Sequence, residues 1–249
     1  MTTRILFGLM LCATGISAQV PGRFPPESLV NVKVIPKNTP PIQVVGIMRT
    51  VAGALGVRCQ FCHVGQEGMP LAQFDFAKDE KRTKLVARQM MRMVEDINRR
   101  VDTLPGHHEQ TSHVEVTCAT CHRGLSRPMP LEQVMQETAQ IAGADSASRV
   151  YRALRARYFG RAAYDFGEPT LNVAAFRLGR AGKFDEAFAM LNLNEEQFPS
   201  SSNLAVFRGN ITLMKGDTTG AIAAFREAVR RDSTNGEAQN RLRQLTTRP

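Results

Sequence analysis

Tryptophan is absent from this 249-residue chain, tyrosine occurs three times, and cysteine and histidine occur five times each. The reactive side chains are unevenly spread. Beyond residue 142 there is neither a cysteine nor a histidine, and the acids and bases there fall where solvated helix faces need them, so no catalytic constellation is read in the C-terminal part. Acidic residues are short as well, with 23 Asp and Glu against 32 Lys and Arg, a net charge of +9 and a pI near 9.8. The basic residues are dispersed rather than interleaved with aromatics, which argues against nucleic acid and leaves steering toward an acidic partner or an anionic membrane surface. Long apolar runs are missing except near the start. There Arg4 precedes an apolar run from Ile5 to Ile16 and a small-residue site at Ser17-Ala18, the pattern of a secretory signal peptide over residues 1–18. That run, about twelve residues, is too short to span a bilayer, and Leu11 is too large for lipoprotein cleavage before Cys12. The mature chain is therefore expected to be soluble, without a transmembrane segment, and periplasmic.

The other four cysteines fall in two pentapeptides, Cys59-Gln60-Phe61-Cys62-His63 and Cys118-Ala119-Thr120-Cys121-His122. Each is a signature for covalent attachment of c-type haem. Two thiols one turn apart can add to the two vinyl groups of one porphyrin, and the adjoining His is then held under the iron. Two covalently bound haems are predicted, with Cys59, Cys62, Cys118 and Cys121 as attachment points and His63 and His122 as proximal ligands. A zinc site, a thioredoxin-like redox pair or a disulfide are the competing readings. The separation of the pairs exceeds ribbon spacing, and zinc has no need of a His directly after each pair.

Apolar residues at helical spacing predict a helix from Pro41 to Leu55, with Gly53 and Gly56 loosening the chain before Cys59. Met48 on that helix is a candidate sixth ligand. A longer amphipathic stretch from Glu80 to Val101 carries Val86, Met90, Met93, Val94, Ile97 and Val101 on one stripe, with Met91 off it. Methionine stripes also serve as ordinary core, so spacing alone leaves Met ligation open at both irons. His107, His108 and His113 are alternative ligands in a turn region marked by Pro105-Gly106. Lys78, Lys81, Arg82, Arg88 and Arg123 are candidate partners for haem propionates.

Together these segments resemble a family, the cytochrome c subunit of photosynthetic reaction centres, whose haem segments consist of a Met-bearing helix, a turn and Cys-x-x-Cys-His. The resemblance is carried by Met48 to His63, by Val86 to Asn98 followed by Val116 to Gly124, and by Asn31-Val32-Lys33-Val34. It covers about residues 30 to 130. It implies that Met48 pairs with His63 and that Met90, rather than Met93, pairs with His122. The family's best-known members carry four haems, so what the resemblance implies here is a two-haem electron-transfer unit.

After Pro130 a helix from Leu131 to Ala142 and a linker around 143–148 are expected, then helices throughout. A 34-residue period relates Gly182 to Gly216, Ala187 to Ala221 and Leu191 to Phe225, the tetratricopeptide period. Two such units over about 168–235 and a closing helix from Gly236 to Leu245 resemble tetratricopeptide tails, whose concave face commonly binds a peptide or partner domain. The expected fold is mostly α: a dihaem cytochrome c domain over 19–142 with a core of its own, and a helical-repeat domain over 143–249. The expected function is one-electron transfer to or from a periplasmic or membrane-bound redox partner, without catalytic residues. A dihaem enzyme such as a peroxidase, with one open iron, is the main alternative. A haem-based sensor acting through the repeats is the other.

Overall fold

A computed structural model describes residues 23–105 and 114–247. The expected signal peptide with Cys12, and His107, His108 and His113, lie outside the described residues. Among the described residues the chain is mostly α-helical, with nine helices and no sheet. It divides into two compact units, Met1–Thr120 and Cys121–Pro249.

In the first unit, α1 spans Pro41–Leu55, the bounds expected from the sequence. A proline at its first position gives up no helical hydrogen bond, and Gly56 closes it in the left-handed conformation, φ 65°, its N–H reaching back to Ala52 and Gly53. A 3-10 turn over Cys59–Phe61 follows, then a loop whose return is marked by a single β-bridge between Val64 and Asp75 and a second 3-10 turn at Leu71–Gln73. α2 spans Arg82–Val101, beginning two residues later than expected. A short helix, α3, spans Cys118–His122 and contains the point at which the two units divide.

This unit departs from the expected core. Among its described residues Ala54 is the one buried apolar side chain, and it keeps 8% exposure. Many of its other apolar residues, among them Leu29, Val44, Val45, Val51, Leu55 and Phe76, line a cavity of about 230 Å³. Side chains that line an opening forgo the close contacts that stabilise a packed interior.

The second unit has a conventional core. α4 spans Leu131–Tyr158 and runs through the expected linker with a kink at Gly143, φ 79° and ψ 176°, a conformation open to glycine. Residues 142 and 143, where the sequence places a domain boundary, lie within this helix. α5 (Glu168–Arg180), α6 (Phe184–Glu195), α7 (Ser202–Met214), α8 (Thr218–Arg231) and α9 (Gly236–Thr246) follow. The starts of α7 and α8 fall 34 residues after those of α5 and α6, and Gly182 and Gly216 take positive φ at equivalent turns. Side chains of Ser201, Asp217 and Asn235 accept from the third amide of α7, α8 and α9, each cap stabilising its helix by about 1 kcal/mol. Leu171, Leu178, Met190, Leu191 and Ile211 are fully buried in one cluster with Tyr151; Ala221, Phe225 and Ala238 anchor a second.

Candidate haem sites

The first Cys-x-x-Cys-His segment opens on the cavity of the first unit. Met48 of α1, Cys59, Cys62 and His63 all line it, with Val44, Val51, Ala52 and Leu55. α1 brings these residues together because Val44, Met48, Val51, Ala52 and Leu55 recur at helical spacing on one face. The motif is wound as a tight turn, in which the Cys62 and His63 amides reach the Cys59 carbonyl at 3.2 and 2.9 Å. α2 grips that turn from its first residues: the Lys81 ammonium donates to the Gln60 carbonyl, and the Thr83 hydroxyl to that of Phe61 at 2.5 Å. Burial raises the Cys62 thiol pKa, with Thr83 and Lys81 opposing it and Cys59 adding to it.

His63 is held as a neutral imidazole. Burial is the main cause, followed by the nearby Lys84 charge, and together they push its pKa down to about 4 against the opposing effect of a hydrogen bond with the Phe76 backbone. Phe76 meets the ring edge-on, centroids 4.9 Å apart, and is itself flanked by Phe24 and Phe74. The Nδ1 atom of His63 is buried. A buried neutral imidazole in an apolar cavity beside two free thiols is a donor set that fits a covalently held haem. Among the described residues no three His, Cys, Asp or Glu side chains are placed to hold a metal ion, so the donors of tetrahedral zinc are not assembled.

The polar wall is built around Lys84, which is 7% exposed. Its ammonium donates to the carbonyls of Phe76, Ala77 and Lys78 at 2.9, 3.2 and 2.7 Å and pairs with Asp79 at 2.9 Å. Desolvating an isolated ammonium is expensive; four oxygens offset that here. Arg88 pairs with Asp79 at 2.8 Å and donates to the Asn31 carbonyl at 2.9 Å, while Asn31 donates to Ala77. Hydrogen bonds from Arg88 first, then from Asn31 and Lys84, hold the Asp79 carboxyl far below its usual range.

Of the cations expected near propionates, Arg88 lines the cavity. Lys81 is engaged on the Gln60 carbonyl, and Lys78 pairs with Asp75 and Glu80. Arg82 and Arg123 are exposed. Sequence reasoning missed Lys33, Arg49, Arg58 and Lys84, which also line the cavity. Met91 was placed off the apolar stripe of α2 and lines this cavity too.

At the second motif, Cys118 to His122 form α3 itself. His122 is buried, and its Nδ1 lies 2.7 Å from the Leu125 carbonyl. A carbonyl only accepts, so Nδ1 carries the proton and Nε2 keeps the lone pair that an iron needs. On α2 the stripe of Val86, Met90 and Met93 is exposed, at 47%, 36% and 44%. The segment entering α3 is tied to α2 through Asn98 and Val116.

An apolar cavity walled by a methionine helix, a Cys-x-x-Cys-His turn and a neutral imidazole has the parts of a c-type cytochrome segment. Residues 67–155 match the family described as the photosynthetic reaction centre cytochrome C subunit, a stretch that includes the second motif. Cytochrome c-554 of Chloroflexus aurantiacus is 42% identical over 73 residues, 29% of this chain and 15% of that protein. The photosynthetic reaction center cytochrome c subunit of Roseobacter denitrificans is 38% identical over 70 residues, 28% of this chain and 17% of that protein. The matched stretch thus spans about a sixth of these relatives. No helix among the described residues is long and apolar enough to cross a membrane.

Proposed function

We propose that this protein is a periplasmic dihaem c-type cytochrome that passes single electrons between redox partners. The observation that carries the reading is the convergence of Met48, Cys59, Cys62 and His63 on one apolar cavity with a cationic wall. A haem bound there supplies reversible one-electron chemistry. In this reading Cys59 and Cys62 would hold the haem covalently, His63 and Met48 would ligate its iron, and Arg88 with its neighbours would balance its propionates. Cys118, Cys121, His122 and Met90 take the same parts in the second segment. Methionine sulfur favours ferrous iron, so both sites act as relatively high-potential carriers. The reading is supported by the stretch similar to reaction-centre cytochromes; phototrophy is no part of it.

The C-terminal unit supports a second component. The 34-residue recurrence of its helix starts is the basis for reading α5 to α8 as two tetratricopeptide-like units, with a peptide or protein partner docked on them.

The test is a potentiometric optical titration of full-length protein matured in a periplasm equipped for cytochrome c assembly, with carbon monoxide added to the reduced form. Two haems per chain by mass, low-spin spectra and no carbon monoxide shift bear the reading out. A high-spin haem that binds carbon monoxide transfers the case to a dihaem peroxidase.

A further inference from the structure

The stretch between Asp145 and Asp165 holds five arginines, Arg149, Arg152, Arg155, Arg157 and Arg161, and no acidic residue, an exception to the dispersal of charge along the chain. Four of them lie in the second half of α4, beyond the Gly143 kink. Arg149, Arg152, Ala153, Ala156 and Arg157 fall at i, i+3, i+4, i+7 and i+8, the spacing of a single helix face, and all five are exposed. The opposite face carries Ala147 and Tyr151 into the core. The outer stripe is therefore cationic, with only alanine methyl groups between its arginines.

The carboxylates at its margin do not cancel it. Arg152 pairs with Glu196 at 2.7 Å, Asp145 stands one turn before Arg149, and Asp165 accepts the Gly167 N–H at 2.7 Å. Five arginines against these three leave two positive charges in excess. Among the described residues Arg149, Arg157 and Arg161 form no ion pair: Arg149 donates to the Ser146 hydroxyl at 3.0 Å, and Arg157 lies over the Tyr158 ring at 5.1 Å. At the helix end Phe159 is 61% exposed, with the Arg155 guanidinium over one face of its ring at 4.0 Å. Guanidinium forks match phosphate oxygens in pairs, and an exposed aromatic ring beside them suits the boundary between lipid headgroups and acyl chains. Tyr158 and Tyr164 pack edge-on against each other at 5.4 Å, so the rings are not open platforms for stacked bases. An acidic protein is anchored by side chains seated in pockets, whereas this stripe is the outer face of one helix with alanines at its centre.

We infer that this face of the C-terminal unit docks on an anionic phospholipid membrane, with Arg149, Arg157 and Arg161 on headgroup phosphates and Phe159 beside them at the edge of the acyl region. Clusters of about four to eight basic residues on a helix hold proteins to such surfaces by charge alone, and salt weakens the hold. The inference goes beyond the electron-transfer reading and does not depend on its haems. It gives the protein a place at the membrane surface, where a membrane-bound redox partner is met by diffusion in two dimensions.

The test is co-sedimentation of the full-length matured protein with vesicles of phosphatidylglycerol and phosphatidylcholine, and with vesicles of phosphatidylcholine alone, at low and high salt. Binding to the first kind only, weakened by salt, is expected. A triple variant carrying Arg149→Gln, Arg157→Gln and Arg161→Gln should bind about 100-fold more weakly. A second triple variant, Arg177→Gln, Lys215→Gln and Arg226→Gln, removes the same amount of charge from exposed positions elsewhere in the unit and should bind nearly as the wild type does. Circular dichroism of both variants checks that their helix content is that of the wild type. Absence of binding to the anionic vesicles, or equal losses in the two variants, overturns the inference. Tighter binding to soluble polyglutamate than to vesicles, lost in the first variant, overturns it too and assigns the face to an acidic protein. None of these results bears on haem content or on the carbon monoxide test, so the electron-transfer reading stands or falls separately.

Discussion

Asn98 and Val116 hold each other by a reciprocal pair of hydrogen bonds. The Asn98 amide donates to the Val116 carbonyl at 2.9 Å and its carbonyl accepts from the Val116 N–H at 2.8 Å. One side chain on the penultimate turn of α2 thus satisfies both backbone groups of a residue two positions before Cys118. Asn98→Ala removes both bonds and leaves the Val116 backbone without those partners. The expected cost is about 1–3 kcal/mol, read as a lower denaturant midpoint, together with a fall in haem attached at the second motif measured by intact mass. Full attachment at an unchanged midpoint contradicts this role.

Asp79 gives the first unit a defined acid sensitivity. Its carboxyl is held far below its usual range by Arg88, Asn31 and Lys84. A carboxylate whose folded pKa is depressed stabilises the fold fully above its unfolded value of about 3.9, and that contribution disappears as pH falls toward the folded value. Asp79→Asn lacks the contribution at every pH. Denaturant midpoints of the two proteins should therefore differ most near neutrality and converge in strong acid. A difference that does not change with pH shows that the ion pairs are not its source.

The helices were legible because their signals are local. Pro41 and Gly56 mark the ends of α1, and the 34-residue recurrence of small residues foreshadowed the recurrence of α5 and α6 in α7 and α8. The cavity was less legible because it depends on contacts distant in sequence. Lys84 reads as one more solvated charge on a helix; only the return of the Phe76–Lys78 backbone encloses its ammonium. Met91 lies off the apolar stripe of α2, yet this helix uses two faces. Met91 lines the first cavity, whereas Met90 and Met93 lie on the exposed stripe. The fall of α4 across residues 143–148 was hidden by Gly143, which suggests a break and in the structure makes a kink between helical stretches.

Gly209 of α7 tests the packing of the second unit. A Cβ built at Gly209 would lie 2.7 Å from the ring of Phe225, which is fully buried. Alanine in place of glycine within a helix gains up to about 1 kcal/mol, but overpacking a filled interior costs about 1–3 kcal/mol. With the Phe225 ring enclosed, the steric cost wins. Gly209→Ala should destabilise the unit by about 1–2 kcal/mol, seen as a lower thermal midpoint by far-ultraviolet circular dichroism. A stabilised variant would mean that Phe225 yields easily and that the interior is looser than its burial indicates.

Met48 and Met91 both line the first cavity, one from α1 and one from α2, and they separate ligation from packing. Leucine is close to methionine in volume, so either substitution costs under about 1.5 kcal/mol in packing. Only the axial ligand changes the iron when replaced, because leucine offers no lone pair. Met48→Leu is therefore expected to leave the first haem attached but without its sulfur ligand. The weak far-red band of oxidised iron bound to sulfur should fall to about half in a two-haem protein, and the reduced form should bind one carbon monoxide per chain. Met91→Leu should leave both signals at the wild-type level. The opposite pattern would make Met91 the ligand and α2 the helix that closes the first site. It would also mean that the resemblance pairing Met48 with His63 had selected the wrong wall of the cavity.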